Sequence, residues 1–168
     1  MNTYSSTMDT PVGPFTAIVD DDGAVLASGW TGDVDVLIPL IHTDLRNPER
    51  PQTRRDLGAV TAAIATYHAG DVAAPDAITV RQHSGGAFLM AAWKTLRDVA
   101  PGAPVTYTEL AGLTGNPAAV RAAAQACARN AVALFVPCHR VIGTDGTMRG
   151  FRWGTEIKRW LLDHERSA

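Results

Sequence analysis

Cysteine is scarce in this chain: Cys127 and Cys138 are the only two among 168 residues. That excludes a disulfide framework and makes a reducing compartment, the cytoplasm, the expected location. Long apolar runs are also missing. No stretch reaches the roughly 18 apolar residues that a membrane helix needs, so no membrane partner is expected. The opening residues, MNTYSSTMDTPVG, have neither the basic start nor the apolar core of a secretion signal. Lysine is absent from residues 1–87, where five Arg face eleven Asp and Glu for a net charge of −6. Residues 88–168 reverse the balance, with ten Lys and Arg against six acids and a net of +4. A polyanion would bind the second half. The chain as a whole, at net −2 and 46% hydrophobic, is too apolar and too balanced to be disordered.

Pattern and punctuation predict an α/β (α+β) protein of two domains: a small mixed domain over 1–81, a linker over 82–87, and a mostly helical domain over 88–168. Residues 13–30 read as two strands joined by an Asp-Asp-Gly turn. Residues 31–50 carry no clear signal. Leu57, Val60, Ile64 and Tyr67 recur at helical spacing within 51–71, and Gly70 ends that run. Residues 76–81, DAITVR, read as a strand. In the second half, Phe88, Ala92, Leu96 and Val99 mark a helix over 87–102. Two helices follow within 105–130. Thr106 and Glu109 form a capping box for the first, and Asn116 with Pro117 opens the second. Two helices across a short Gly-containing turn match the helix-turn-helix pattern, which many αα-hairpins share. Val120, Ala123 and Cys127 form the expected buried stripe of the second helix. Ala118, Arg121, Ala122 and Gln125 face the other way. So smooth a face with one long cation suits close approach to a nucleic-acid backbone, and it equally suits a plain alanine-rich solvent face. The last helix, 155–168, is expected to pack through Ile157, Trp160, Leu161 and His164. Glu165, one position on, is either a surface acid or a partner for a core histidine.

The stretch VPCHRVIG, residues 136–143, joins one of the two cysteines to a histidine. A metal site needs about four ligands, usually in paired spacing. Cys127 and Cys138 are eleven residues apart, and His42, His68, His83 and His164 are scattered, so no metal is expected. An inert buried cysteine fits the apolar flanks. Pro137 argues against a central strand, and His139 and Arg140 argue against simple core. A nucleophile needs a base or electropositive surroundings. Adjacent side chains on extended backbone point apart, so Cys138 and His139 would need a turn or a bridging water to cooperate.

Together PCHRV (137–141), TYTELAGLTGNPAAVRAAAQACARN, FRWG and IKRWLLDHE resemble the O6-alkylguanine-DNA alkyltransferases, and most of all the alkyltransferase domain of the bacterial adaptive-response protein. The resemblance covers about half the chain strongly and the N-terminal half in outline. It implies single-turnover transfer of an alkyl group from O6-alkylguanine, and from O4-alkylthymine, in double-stranded DNA to the protein's own cysteine, with nucleotide flipping, no cofactor and a monomeric protein. By that resemblance Cys138 accepts the alkyl group, His139 acts through a water, Glu165 orients His139, Asn130 holds the turn, and Tyr107 gives a proton towards the base. Pro137, Val141, Phe151, Arg152 and Trp153 would form the substrate pocket. Arg121 would enter the base stack from the minor groove, with Thr106, Ala119, Ala122 and Gln125 beside it on DNA. Phe151 stands where many members have Tyr, and AFLMAAW (87–93) lacks their polar and basic residues. A non-catalytic lesion-sensing DNA-binding protein is the alternative, against which an intact Cys138 argues. A cysteine hydrolase or thiol-redox protein would instead turn over repeatedly.

Overall fold

The computed structural model describes all residues, 1–168. The chain forms two compact units, one of Met1–His83 with Ala131–Phe135, the other of Ser84–Asn130 with Val136–Ala168. The break between His83 and Ser84 falls within residues 82–87, but the assignment of 88–168 to one domain needs a correction: residues 131–135 belong to the first unit.

In the first unit, β1 (Thr3–Thr10), β2 (Gly13–Asp20), β3 (Val25–Gly29) and the two-residue β4 (Gln52–Thr53) form one sheet in the order β3-β2-β1-β4. The predicted hairpin is β2–β3. Asp20 shapes its turn by accepting hydrogen bonds on Oδ1 from the N–H groups of Asp22 and Ala24, and Gly23 takes φ 80°. The strand β1 carried no sequence signal because its residues are polar, TYSSTMDT. It forms because β2 offers it an eight-residue antiparallel register from Thr3↔Asp20 to Thr10↔Gly13. α1 (Val34–Leu37) and α2 (Ala59–His68) complete the unit. The predicted helix over 51–71 is shortened at its start, where Gln52 and Thr53 pair with β1. The predicted strand over 76–81 is another correction. Residues 74–77 make a 3₁₀ turn, and only Val80 bridges to Val25. Next to it Ser28 donates to the Ala131 carbonyl at 2.9 Å and accepts from the Ala133 N–H at 3.1 Å. Residues 131–133 thereby pair with the free edge of β3, which is why they leave their own neighbours in the sequence.

In the second unit, α3 (Ala87–Leu96), α4 (Tyr107–Leu113), α5 (Val120–Ala128) and α6 (Thr155–Arg166) surround a two-strand pair, β5 (Val105–Thr106) with β6 (Val141–Ile142). The capping box is present: Thr106 Oγ1 accepts from the Glu109 N–H, and Glu109 accepts from the Thr106 N–H, both at 3.1 Å. Asn116 does not cap α5. Its side chain accepts from the Ala118 N–H in a turn of its own, and α5 begins only at Val120. The linker between the helices is therefore longer than the short turn predicted. The buried face of α5 also differs. Ala123 and Ala126 are buried, Val120 is exposed, and Ala122 and Cys127 are half-buried. α3 packs on α5, and buried Trp93 donates its indole N–H to the Ala126 carbonyl at 2.8 Å. Ala126 lies in the last turn of α5, where carbonyls lack helical partners. Replacing Trp93 with Ala removes both the indole volume and this cap. It should destabilise the protein by about 3–5 kcal/mol in urea titrations, whereas Trp93→Phe should lose only about 1–2 kcal/mol.

Candidate active site

Asn130 and Val136 bracket the excursion of residues 131–135. The Asn130 side-chain amide donates to the Val136 carbonyl at 2.7 Å. The same carbonyl accepts from the Cys138 N–H at 2.8 Å, with Pro137 between them at φ −82°, ψ 65°. That is an inverse γ-turn, and the proline ring presets its φ. Cys138–Arg140 then form a single 3₁₀ turn, closed by Arg140 N–H to the Pro137 carbonyl at 3.0 Å. The segment is thus a turn rather than a strand. Successive side chains in such a turn diverge by about 120°, so Cys138 and His139 leave the backbone in different directions.

His139 and Arg140 are both buried, and both reach Glu165 in α6. His139 Nε2 lies 2.8 Å from Glu165 Oε2. Arg140 donates through Nε to Oε1 and through Nη2 to Oε2, each at 2.9 Å, and through Nη1 to the Val99 carbonyl at 2.7 Å. Glu165 is therefore a buried partner rather than a surface acid. Burial would raise its pKa, but the hydrogen bond and charge of His139 and those of Arg140 overturn that and hold it at about 2. Burial pushes the pKa of His139 down, and the charges of Arg140 and Lys158 add to this, against the pull of Glu165. The lowered pKa favours neutral His139 as pH rises, and Arg140 is the charge beside Glu165 that does not titrate away. An ionised carboxylate only accepts, so Nε2 carries the proton and Nδ1 the lone pair. That Nδ1 is buried without a hydrogen-bond partner.

Cys138 opens on a cavity of about 310 Å³ lined by Tyr107, Ala124, Cys127, Ala128, Asn130, Cys138 and residues 150–153. Phe151, Arg152 and Trp153 are thus beside Cys138 in this cavity. Arg152 is tied by Nη2 to the Ala128 carbonyl, 2.6 Å away, in the last turn of α5. Pro137 and Val141 do not line this cavity. Val141 is fully buried, its N–H donates to the Cys138 carbonyl, and its own carbonyl accepts from Lys158 Nζ at 2.7 Å. Burial raises the Cys138 thiol above its ordinary range, partly offset by an Asn130 hydrogen bond and the charge of Lys158. At rest the sulfur is a thiol, and a base is needed to make it a nucleophile.

The sequence of residues 87–167 matches the family model described as 6-O-methylguanine DNA methyltransferase, DNA binding domain. A Shigella flexneri protein named methylated-DNA–protein-cysteine methyltransferase is 36% identical over 159 residues, covering 93% of this chain and 91% of its own. The chain belongs to the methylated-DNA–protein-cysteine methyltransferase family. The Escherichia coli bifunctional transcriptional activator/DNA repair enzyme Ada is 48% identical over 81 residues, 48% of this chain and 23% of its own. The crystal structure of a Mycobacterium tuberculosis OGT in complex with DNA superimposes with a TM-score of 0.75 at 27% identity, over 98% of this chain and 93% of that one.

In a family named for a cysteine acceptor, the two thiols must be told apart. Cys127 lines the same cavity as Cys138 and is half-buried, rather than enclosed in the buried stripe that the sequence suggested. Burial and the nearby Cys138 push its pKa up as well, and what sets it apart from Cys138 is that no histidine follows it in its helix. Tyr107 is pushed up to about 12, first by burial and then by the two sulfurs, and stays a neutral hydroxyl donor. It also lines a second, more open groove of about 390 Å³ with Arg121, Val120, Ala124, Thr144 and Arg149. Arg121 and Gln125 are exposed, Ala119 and Ala122 half-buried, and Thr106 is committed to its capping box.

Sequence reasoning missed Lys158, Arg140 and Arg149. Lys158, Leu161, Leu162 and Glu165 form the buried stripe of α6, while Ile157, Trp160 and His164 are half-buried. The i, i+3, i+4, i+7 spacing was visible, but two charged residues in it pointed the assignment to the neighbouring apolar face. Because the folded pKa of Glu165 lies below its unfolded value of 4.5, its stabilisation is present above pH 4.5 and is lost as pH falls towards about 2. Urea titrations from pH 6 to pH 3 should show this loss, on the order of 3 kcal/mol at completion. Glu165→Gln should flatten that dependence while lowering stability at pH 7.

Proposed function

We propose that this protein repairs O6-alkylguanine in double-stranded DNA by moving the alkyl group onto Cys138, once per molecule. The observation that carries the proposal is the buried His139–Glu165 hydrogen bond of 2.8 Å beside a cysteine that opens on a cavity. The unpartnered Nδ1 of His139 offers a lone pair to a water between it and the thiol. The thiol proton passes through that water to His139, and ionised Glu165 holds the resulting imidazolium. The sulfur attacks the alkyl carbon as the carbon–O6 bond breaks, leaving its electron pair on guanine. Tyr107, with a pKa of about 12, spreads that charge by donating a hydrogen bond to the base ring. Guanine then takes its proton from solvent as it departs. The thioether is not cleaved again, so the protein is consumed. O4-alkylthymine presents the same alkyl–oxygen bond and is a second substrate.

The target base lies inside a duplex stack and must be extruded to reach Cys138. Exposed Arg121, on a groove with Arg149 and small alanines, suits entry into the minor groove and the gap left in the stack. One copy of the chain supplies every residue named for the chemistry, which supports reading the protein as a monomer. Intact-mass measurement after incubation with O6-methylguanine duplex should show a stoichiometric gain of one methylene, mapped to Cys138. Cys138→Ala should bind the DNA without gaining mass. A gain on Cys127, or repeated turnover, would overturn the assignment.

Trp153 fills part of the wall of the Cys138 cavity. A filled wall rejects added volume by overlap, while a methyl group adds little beyond the guanine ring. The protein should therefore resist inactivation by O6-benzylguanine, and Trp153→Gly should become sensitive to it, as read by residual methyl transfer after incubation.

A further inference from the structure

His42, Asp44 and His83 lie far from one another or in an unremarkable turn in the sequence, yet the first unit brings them together. One donor atom from each lies within 4.8 Å of the other two. Asp44 Oδ2 is 3.3 Å from His83 Nε2 and 3.6 Å from His42 Nδ1. Two ligands bound to a tetrahedral zinc at about 2.0–2.1 Å sit about 3.3–3.4 Å apart. The Asp44–His83 edge already has that length, and the Asp44–His42 edge is slightly longer. Both rings are partly exposed and meet edge-on, with centroids 4.6 Å apart. The scaffold is already built. Leu45 N–H to the His42 carbonyl at 2.9 Å closes the turn that carries His42 and Asp44. Arg46 braces it by donating to the carbonyls of Pro39 and Ile41, so its guanidinium is occupied. His83 follows Arg81, whose N–H is anchored to the Val25 carbonyl at 3.0 Å. The Asp44 N–H donates to His42 Nδ1 at 3.2 Å, a hydrogen bond that a metal on this nitrogen would replace.

We propose that His42, Asp44 and His83 bind a borderline divalent transition-metal ion, zinc first, with water completing the coordination. Two imidazoles and one carboxylate suit zinc, cobalt or nickel and disfavour magnesium and calcium, which demand oxygen ligands. Bound metal would staple the end of the first unit's main segment to the turn at residue 42. The test uses full-length protein stripped with a chelator. Cobalt titration should give a saturable visible absorption band of four-coordinate intensity at one ion per chain, displaced by zinc and not by excess magnesium. His83→Ala and Asp44→Asn should each weaken binding at least tenfold, with unchanged circular dichroism. The His42→Ala/His83→Ala double variant should lose the band. Binding that survives in the double variant would place the ion on Cys127, Cys138 or elsewhere and overturn the proposal. So would displacement by magnesium, or the absence of saturable binding at millimolar cobalt.

Discussion

One buried carboxylate organises the second unit. Glu165 accepts from His139 and Arg140, which are adjacent in the 3₁₀ turn that begins with Cys138. Charged Arg140 could not stay buried without an anion to meet it, and Glu165 could not stay ionised without Arg140. Arg140 extends the connection to the Val99 carbonyl at the end of the α3 segment. One side chain thus fixes the turn against α6, sets the tautomer of His139 and leaves its Nδ1 as an acceptor. Removing Glu165 or Arg140 would strand a buried charge, which costs more than the pair is worth.

The cysteine sits in tension with this arrangement. The burial of Cys138 holds its proton on. Lys158, buried and fastened to the Val141 carbonyl, and the Asn130 amide oppose that only in part. A thiol of this kind is protected from casual oxidation, because the thiolate is the reactive form. Its reactivity has to come from a base in place beside it. The γ-turn at Pro137 and the double hydrogen bond on the Val136 carbonyl give the sulfur a defined position before any substrate arrives.

Local signals in the sequence were legible where the physics is local. The Asp-Asp-Gly hairpin turn, the Thr106–Glu109 capping box and the four helices of the second unit depend on residues a few positions apart, and all are present. Signals failed where distant chain decided. Polar β1 is a strand because β2 pairs with it, and residues 131–133 join β3 because its edge is free. Residues 76–81 have strand-like composition, but their start is spent on a 3₁₀ turn and only one bridge remains. On α6 a charged pair, Lys158 and Glu165, occupies the buried face, which hydrophobic periodicity alone assigns to solvent.

The sequence by itself determined the chemistry on offer: a cysteine and a histidine behind a proline, an acid near the end of the last helix, and a helical hairpin with one arginine on an alanine face. Those are properties of residue type and short spacing. Only the tertiary structure decided which groups meet. It put Glu165 on both His139 and Arg140, placed Cys127 on the same cavity as Cys138, took Val141 out of that cavity, and gathered His42, Asp44 and His83. Hydrogen bonds and ligand geometry act over about 3 Å, and residues separated by tens of positions come within that distance only when the chain is folded.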